Sequence, residues 1–133
     1  MHFSEKMIDG VAEIDDQHRG LIDIINDLYE IALKRAGQRT LDDVFEALDV
    51  YTKGHFEREE TLFAKYGYPG LADHKAQHNS LLQTIADYRK RPREGQEFLL
   101  ALDLLHYLKQ WLSQHMITAD REACVFLNAQ GVF

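Results

Sequence analysis

The sequence predicts an all-α fold: an antiparallel up-down-up-down four-helix bundle with an N-terminal arm and a short C-terminal helix. Three observations carry that expectation. Apolar residues recur at three- and four-residue steps along the long segments of the chain. No region shows sustained strand alternation. The connections are short and hold Gly, Pro or capping residues, which sets successive helices side by side and antiparallel. Segments of about 20 residues each span about 30 Å, so their lengths match.

Residues 1–14 lack a clear period and are read as the arm. Asp15 or Asp16 is placed to cap a first helix that runs to about Ala36. Leu21, Ile24, Ile25, Leu28, Ile31 and Ala32 share one face of it, and Gly37 ends it. Thr40 suits the N-cap of a second helix, with Asp43 three residues on near the positive helix end. That helix runs to about Tyr66, with Leu41, Val44, Phe45, Leu48, Tyr51 and Leu62 on or near its inner side. Gly67-Tyr68-Pro69-Gly70 is a turn. The third helix covers Leu71 to about Lys90 and is stopped by Pro92 and Gly95. The fourth covers Glu97 to His115 through Leu100, Leu104, Leu105, Leu108, Trp111 and Leu112. A short fifth helix is expected from Asp120 to about Ala129. The basic run Arg89-Lys90-Arg91-Pro92-Arg93 reads as a solvated loop that stabilises the end of the third helix.

Composition narrows the class. At 133 residues the chain is expected to form one domain, 1–133. Its net charge of −7 argues against a nucleic-acid or anionic-membrane partner. No apolar run is long enough for a secretory signal or a membrane span. The single cysteine, Cys124, cannot form an internal disulfide, which suits a reducing compartment. A cytoplasmic location is the expectation.

The most informative feature is an ordered set of metal-binding residue types. His18 is followed by His55-x-x-x-Glu59, His74-x-x-x-His78 and His115-x-x-x-x-Asp120, a set that takes five of the 7 histidines. Residues four apart on a helix differ by about 40° and lie one turn apart. His55 and Glu59 therefore project together, as do His74 and His78, while Glu60 lies about 100° from Glu59. Either pair alone is weak; the specificity comes from one contribution per helix at matching height. In an antiparallel bundle, residues early in one helix meet residues late in the next. His18 is early, His55 and Glu59 late, His74 and His78 early, His115 late, so all fall at one end of the bundle.

Asp120 differs in kind. Five residues of regular helix place it about 140° from the face of His115. For the two to meet, the fourth helix must break or distort near Met116 to Ala119. Coordination counting then defines the site. Five imidazoles, two carboxylates that each bridge both metals, and one bridging solvent oxygen would fill all but one position of two octahedral ions. Such a centre accepts one small exogenous ligand. A structural zinc site would be closed, four-coordinate and commonly built with Cys. Mixed imidazole and carboxylate donors favour iron or manganese over calcium or magnesium.

These motifs resemble the hemerythrin family, in particular its bacterial single-domain branch. The likeness runs from about Ile14 to Asp120. It includes Ile14-Asp15-Asp16-Gln17-His18, His55-Phe56-x-x-Glu59-Glu60, His74-x-x-x-His78 and Trp111-Leu112-x-x-His115-x-x-x-x-Asp120. The resemblance implies two Fe ions in a non-haem, oxo- or hydroxo-bridged pair that binds O2, with azide and other small anions as analogues. It assigns His74, His78 and His115 to one iron, and His18 and His55 to the other, which keeps the open position. Glu59 and Asp120 would bridge. Leu21, Phe56, Trp111, Leu112 and Ile117 would line the O2 site, an apolar wall that slows water and anions and offers no acid to cleave the O–O bond. The family often has a tryptophan in the arm; here the aromatic is Phe3.

The expected function is therefore reversible O2 binding for storage, delivery or sensing, and not enzymatic turnover. The alternative is a sensory domain that signals its ligation or redox state to a fused or separate output module. A di-iron oxidase ranks lower, because ferritin-like oxidases use paired Glu-x-x-His motifs that this chain lacks. His106 lies nine residues before His115 and should point away from the site; His2 lies in the arm. Asp15 could orient His18 as an outer acceptor, with helix capping the simpler role. Tyr29, Tyr51 and Tyr107 read as core, and Cys124 as a small buried apolar residue.

Overall fold

The computed structural model describes residues 8–33 and 40–133. Expectations for His2, Phe3, Ala36 and Gly37 lie outside the described residues. Helix α1 spans Ala12–Ala32, α2 Leu41–Lys65, α3 Leu71–Arg89 and α4 Glu97–His115. A π-helical turn, Met116–Asp120, joins α4 to α5, Arg121–Ala129. Helix α1 packs on α2 and α4, α2 on α3, and α3 on α4, which closes the antiparallel square.

The helix ends follow local chemistry. Thr40 caps α2 through a reciprocal box. The Asp43 backbone N–H donates to the Thr40 hydroxyl oxygen at 3.1 Å, and the Thr40 N–H donates to the Asp43 carboxylate at 3.0 Å. Gly67 ends α2 in the left-handed region at φ +69°, where its N–H donates to the Ala64 carbonyl and the Tyr68 N–H to that of Phe63. This paired Schellman arrangement requires a residue without a Cβ penalty.

Helix α1 begins three residues before Asp15, with Val11 as its N-cap and no side-chain cap. The expected capping by Asp15 or Asp16 is thus corrected. Asp16 instead accepts from Arg19, and Asp15 ties down the preceding arm.

The basic run does what a solvated loop should. Arg89 pairs with Glu46, Arg91 with Asp103 and Arg93 with Asp42, and Arg93 also donates to the Arg89 carbonyl at the end of α3. These exposed pairs hold the α3–α4 connection against α2 and α4, each contributing little alone.

Two apolar clusters bracket the end where the histidines converge. The main core fills the bundle with residues such as Leu28, Phe45, Leu48, Leu100, Leu104, Leu108 and Met116. A second cluster of Val11, Ile14, Phe63, Ala123, Cys124 and Leu127 seals the end, using the arm, α2 and α5. Phe63 is the fully buried residue there, and the expected Leu62 packs partly buried against the same cluster. Phe63 lies four residues after Glu59 and so shares its face. Tyr51 and Tyr107 pack partly buried on the core, whereas Tyr29 is 38% exposed and is not a core residue. Tyr51 lies over Gly20 so closely that a Cβ there would stand 2.0 Å from its hydroxyl oxygen.

Candidate metal centre

All seven expected ligand residues are buried: His18, His55, Glu59, His74, His78, His115 and Asp120. Seven polar groups in an apolar interior are costly unless they satisfy one another or a metal. Their positions follow from the helix period. His18 comes from the first turns of α1, His55 and Glu59 from the last part of α2, His74 and His78 from the first part of α3, and His115 from the end of α4. Asp120 reaches them because the π turn inserts an extra residue per turn, so that residues five apart stack.

The two carboxylates each divide their oxygens between two sets of imidazoles. Glu59 Oε1 lies 2.7 Å from His74 Nε2 and 3.3 Å from His78 Nε2, while its Oε2 lies 2.9 Å from His55 Nε2 and 3.9 Å from His18 Nε2. Asp120 Oδ1 lies 2.8 Å from His74 Nε2 and 3.0 Å from His115 Nε2, while its Oδ2 lies 2.9 Å from His18 Nε2. Glu59, His74, His78, His115 and Asp120 form one group able to hold a cation, and His18, His55 and Glu59 another.

The donor set fits a metal. Nε2 of His18, His78 and His115, Oε2 of Glu59 and both oxygens of Asp120 are buried without a hydrogen-bond partner, although they crowd together. Atoms that converge without hydrogen-bond alignment are arranged to point at a shared centre. Metal–ligand bonds of 2.0–2.2 Å at right angles separate neighbouring donor atoms by about 3 Å, which matches the contacts above. Cys124 is buried but is not among these groups.

Without metal, the same contacts control protonation. Burial pushes Asp120 up, but the close imidazoles of His115, His18 and His74 outweigh it and hold the carboxyl well below its ordinary value. Burial and Asp120 push Glu59 up; His55, His74 and His78 overcome both and bring it to about 2. Burial pushes His74 down, yet Asp120 and Glu59 raise it to about 9. His18 is likewise raised, by Asp120, Glu59 and Asp9 against its burial. Burial also pushes the Cys124 thiol up, so it is no thiolate nucleophile.

The far ring nitrogens have partners that sequence reading missed. His55 Nδ1 meets Gln17 Oε1, His78 Nδ1 lies 3.0 Å from Glu60 Oε2, and His115 Nδ1 lies 2.8 Å from Gln77 Oε1. Each partner is the sequence neighbour of a site residue on the preceding helix: Gln17 of His18, Glu60 of Glu59, Gln77 of His78. That adjacency was a usable signal. A residue about 100° from an inward ligand points at the next helix, and Gln and Glu are long enough to reach its imidazole. His18 has Asp9 at this position, not Asp15, whose oxygens accept the Asp9 and Gly10 backbone N–H groups.

The expected apolar wall is present in part. Leu21, Trp111 and Leu112 line a small cavity with Ile25, Leu48, Thr52, Leu81 and Leu108, one turn below the histidines. Phe56 instead stacks on His78, with ring centres 3.7 Å apart and planes within 4°. Trp111 also stacks on His115 at 4.4 Å. Ile117 is not brought to this wall: it is 39% exposed, and the π turn gives the interior position to its neighbour Met116. His106 is exposed, as its spacing implied.

A four-helix bundle that buries imidazoles and carboxylates in this way defines a metal-binding bundle protein. The family model described as "Hemerythrin HHE cation binding domain" matches residues 9–123. A bacteriohemerythrin of Methylococcus capsulatus is 34% identical over 108 residues, covering 80% of this chain and 80% of the relative. One of Stenotrophomonas maltophilia is 33% identical over 112 residues, covering 84% of this chain and 71% of the relative. The crystal structure of a wild-type hemerythrin superposes with a TM-score of 0.78 at 29% identity, covering 96% of this chain and 97% of the other. A leucine-to-alanine variant of hemerythrin gives a TM-score of 0.78 at 28% identity, covering 96% of each. The chain belongs to the hemerythrin family. Among the described residues no helix is long and apolar enough to cross a membrane.

Proposed function

We propose that this protein binds O2 reversibly at a centre of two iron ions, and that it is a binding protein and not an enzyme. The observation that carries the reading is the division of labour within Glu59 and Asp120. Each turns one oxygen to His74 and its neighbours and the other towards His18 or His55. A carboxylate so placed suits a bridge between two cations. On this reading His74, His78 and His115 hold one iron, and His18 and His55 the other. The donor chemistry supports iron, since mixed imidazole and carboxylate ligation is poor for calcium or magnesium. When bound between these residues, ferrous iron would supply the electrons for holding O2 and take them back on release.

The chain supplies the conditions for reversal. The cavity of Leu21, Leu81, Trp111 and Leu112 has room for about 10 Å³. Such a volume is near the minimum for one small molecule, and a wall without polar partners disfavours water. Thr52, the one lining residue with a hydroxyl, donates it to the Leu48 carbonyl. Among the described residues no acid lines the cavity to deliver a proton. Phe56 and Trp111 cover imidazole faces and keep bulk water from them.

The test loads the folded protein with ferrous iron under anaerobic conditions. Two irons per chain are expected. The optical spectrum should change on admitting air and return when O2 is removed. One metal per chain, or a preference for zinc, overturns the di-iron reading. Continuous O2 consumption in place of a reversible change overturns the binding reading in favour of an oxidase.

A further inference from the structure

The imidazoles of α2, α3 and α4 that carry a long polar partner each receive it from the helix before: Gln17 for His55, Glu60 for His78, Gln77 for His115. His18 stands on the first helix, so no helix precedes it. Its partner comes from the arm. Asp9 Oδ2 lies 3.6 Å from His18 Nδ1, and the Asp9 side chain is fully buried. Neither carboxylate oxygen has a hydrogen-bond partner, and His18 Nδ1 has none either. Two complementary orphaned groups thus face each other across a short gap.

Asp9 is held there from several directions. Its backbone N–H donates to Asp15 Oδ1 at 2.8 Å, and the next N–H, of Gly10, donates to Asp15 Oδ2 at 3.3 Å. Gly10 sits at φ +100°, a conformation that only glycine adopts without strain, and this bends the arm inward. Helix α5 closes the clamp. Arg121 Nε lies 3.6 Å from Asp9 Oδ1, and its Nη2 donates to the Ile8 carbonyl at 3.4 Å. Asn128 Nδ2 donates to the Gly10 carbonyl at 3.1 Å. Arg121 immediately follows Asp120, so the residue beside one bridging carboxylate steadies the group behind His18.

We propose that Asp9 is a positioning residue: its carboxylate, facing Nδ1 of His18 at ion-pair distance, favours the tautomer with the proton on Nδ1, leaves Nε2 free and aims Nε2 at the metal. The inference rests on the reading above that His18 is a ligand. Its chemical consequence differs from that at His55 and His115, whose partners are neutral amides. Once ionised, which a neighbouring cation favours, Asp9 would make the imidazole a stronger electron donor and so stabilise the oxidised state of the iron that it holds. The arm and α5 would thereby set the electronic character of the metal position that His18 serves.

The experiment compares wild type, Asp9→Ala and Asp9→Asn in the iron-loaded full chain. Iron release to a ferrous chelator and the midpoint potential are both measured. Asp9→Ala should release iron about 10–100-fold faster than wild type, the usual range for loss of an outer-shell partner. Asp9→Asn keeps an acceptor but not the charge. It should hold iron nearly as wild type while its potential rises. A purely structural role for Asp9 would leave the potential unmoved. Wild-type release and potential in Asp9→Asn overturn the proposal, even if Asp9→Ala fails to fold. Failure of wild type to retain two irons would overturn the di-iron reading instead, so the two failures are distinguishable.

Discussion

Nε2 of His115 lies 3.0 Å from Oδ1 of Asp120 although the two stand five positions apart in the chain. A regular helix would put them on nearly opposite faces. The π turn resolves this, because an i to i+5 repeat stacks residues five apart. The Thr118 hydroxyl donates to the Gln114 carbonyl at 2.7 Å, a back-bond of the kind that bends helices. Asp120 then serves His18, His74 and His115 together. Asp120→Ala is expected to cut retained iron to half or less in folded, gel-filtered protein. Full iron content by metal analysis would show that Asp120 is not a ligand.

His78 and His106 offer a matched pair. His78 is fully buried beside Glu59 and under Phe56, whereas His106 is exposed on α4. His78→Ala should lose iron, and His106→Ala should not. Loss of a ligand can also loosen the fold, so iron must be compared in samples with equal helix content by circular dichroism. Equal iron loss in both variants would mean that the ligand face is misplaced.

Thr40 separates stability from chemistry. Its capping box satisfies backbone donors at the start of α2, at the end of that helix remote from His55. Thr40→Ala should cost about 1 kcal/mol and lower the melting temperature by a few degrees. Iron content and spectrum should stay as in wild type. A change in the spectrum would show coupling along the whole of α2.

Proton competition gives the metal-free protein a characteristic pH profile. Glu59 sits at about 2 against an ordinary 4.5, so its contribution is full above 4.5 and is lost as pH falls towards 2. His74 sits at about 9 against 6.5, so its contribution is full below 6.5 and is lost as pH rises through 9. Asp9, raised to about 7 mainly by burial and by Asp120, likewise loses its contribution as pH rises towards 7. The unfolding free energy of metal-free protein in urea titrations should therefore be highest at mildly acid pH and fall on both sides, by an amount on the order of a few kcal/mol, and the urea midpoint should follow it. Iron needs neutral imidazoles, so the extra stability conferred by iron should grow from pH 6.5 to 9. A metal-free midpoint that climbs steadily over that range would contradict these assignments.

Much of this was legible in the sequence, for physical reasons that differ by element. Helices α2 to α4 were readable because their apolar periods are long and Thr40, Gly67, Pro92 and Gly95 punctuate them. The convergence of the seven polar side chains was readable because antiparallel geometry ties early residues in one helix to late residues in the next. The distortion near Met116 was forced by the spacing of His115 and Asp120, but its consequence for Ile117 was not. An extra residue per turn shifts every neighbour, so Met116 took the interior. The start of α1 was misjudged because Asp15 looked like a cap, while its carboxylate in fact gathers two N–H groups of the arm. Asp9 was invisible for the same reason: no periodicity governs an arm whose path depends on Gly10 and on partners in α5, more than 100 residues away.

Leu112 bears on access to the open position of the proposed di-iron centre. It lies one turn before His115 on α4, is 5% exposed, and forms part of the cavity wall with Leu21 and Trp111. Truncation to Ala removes apolar volume in a site with no polar group to hold water, so the enlarged space remains attractive to small molecules and less resistant to their passage. Leu112→Ala should cost about 2–5 kcal/mol of stability, as buried Leu truncations do. Iron content should be unchanged, since no ligand is touched. Azide should enter the oxidised protein several-fold faster in stopped-flow measurements, and the oxygenated form should decay to the oxidised one faster. The stoichiometry of azide should stay at one per centre, because the count of open coordination positions does not depend on the wall. A variant with reduced stability but wild-type azide entry would show that Leu112 packs the core without guarding the centre. Two azides per centre in either protein would overturn the partition of ligands between the irons.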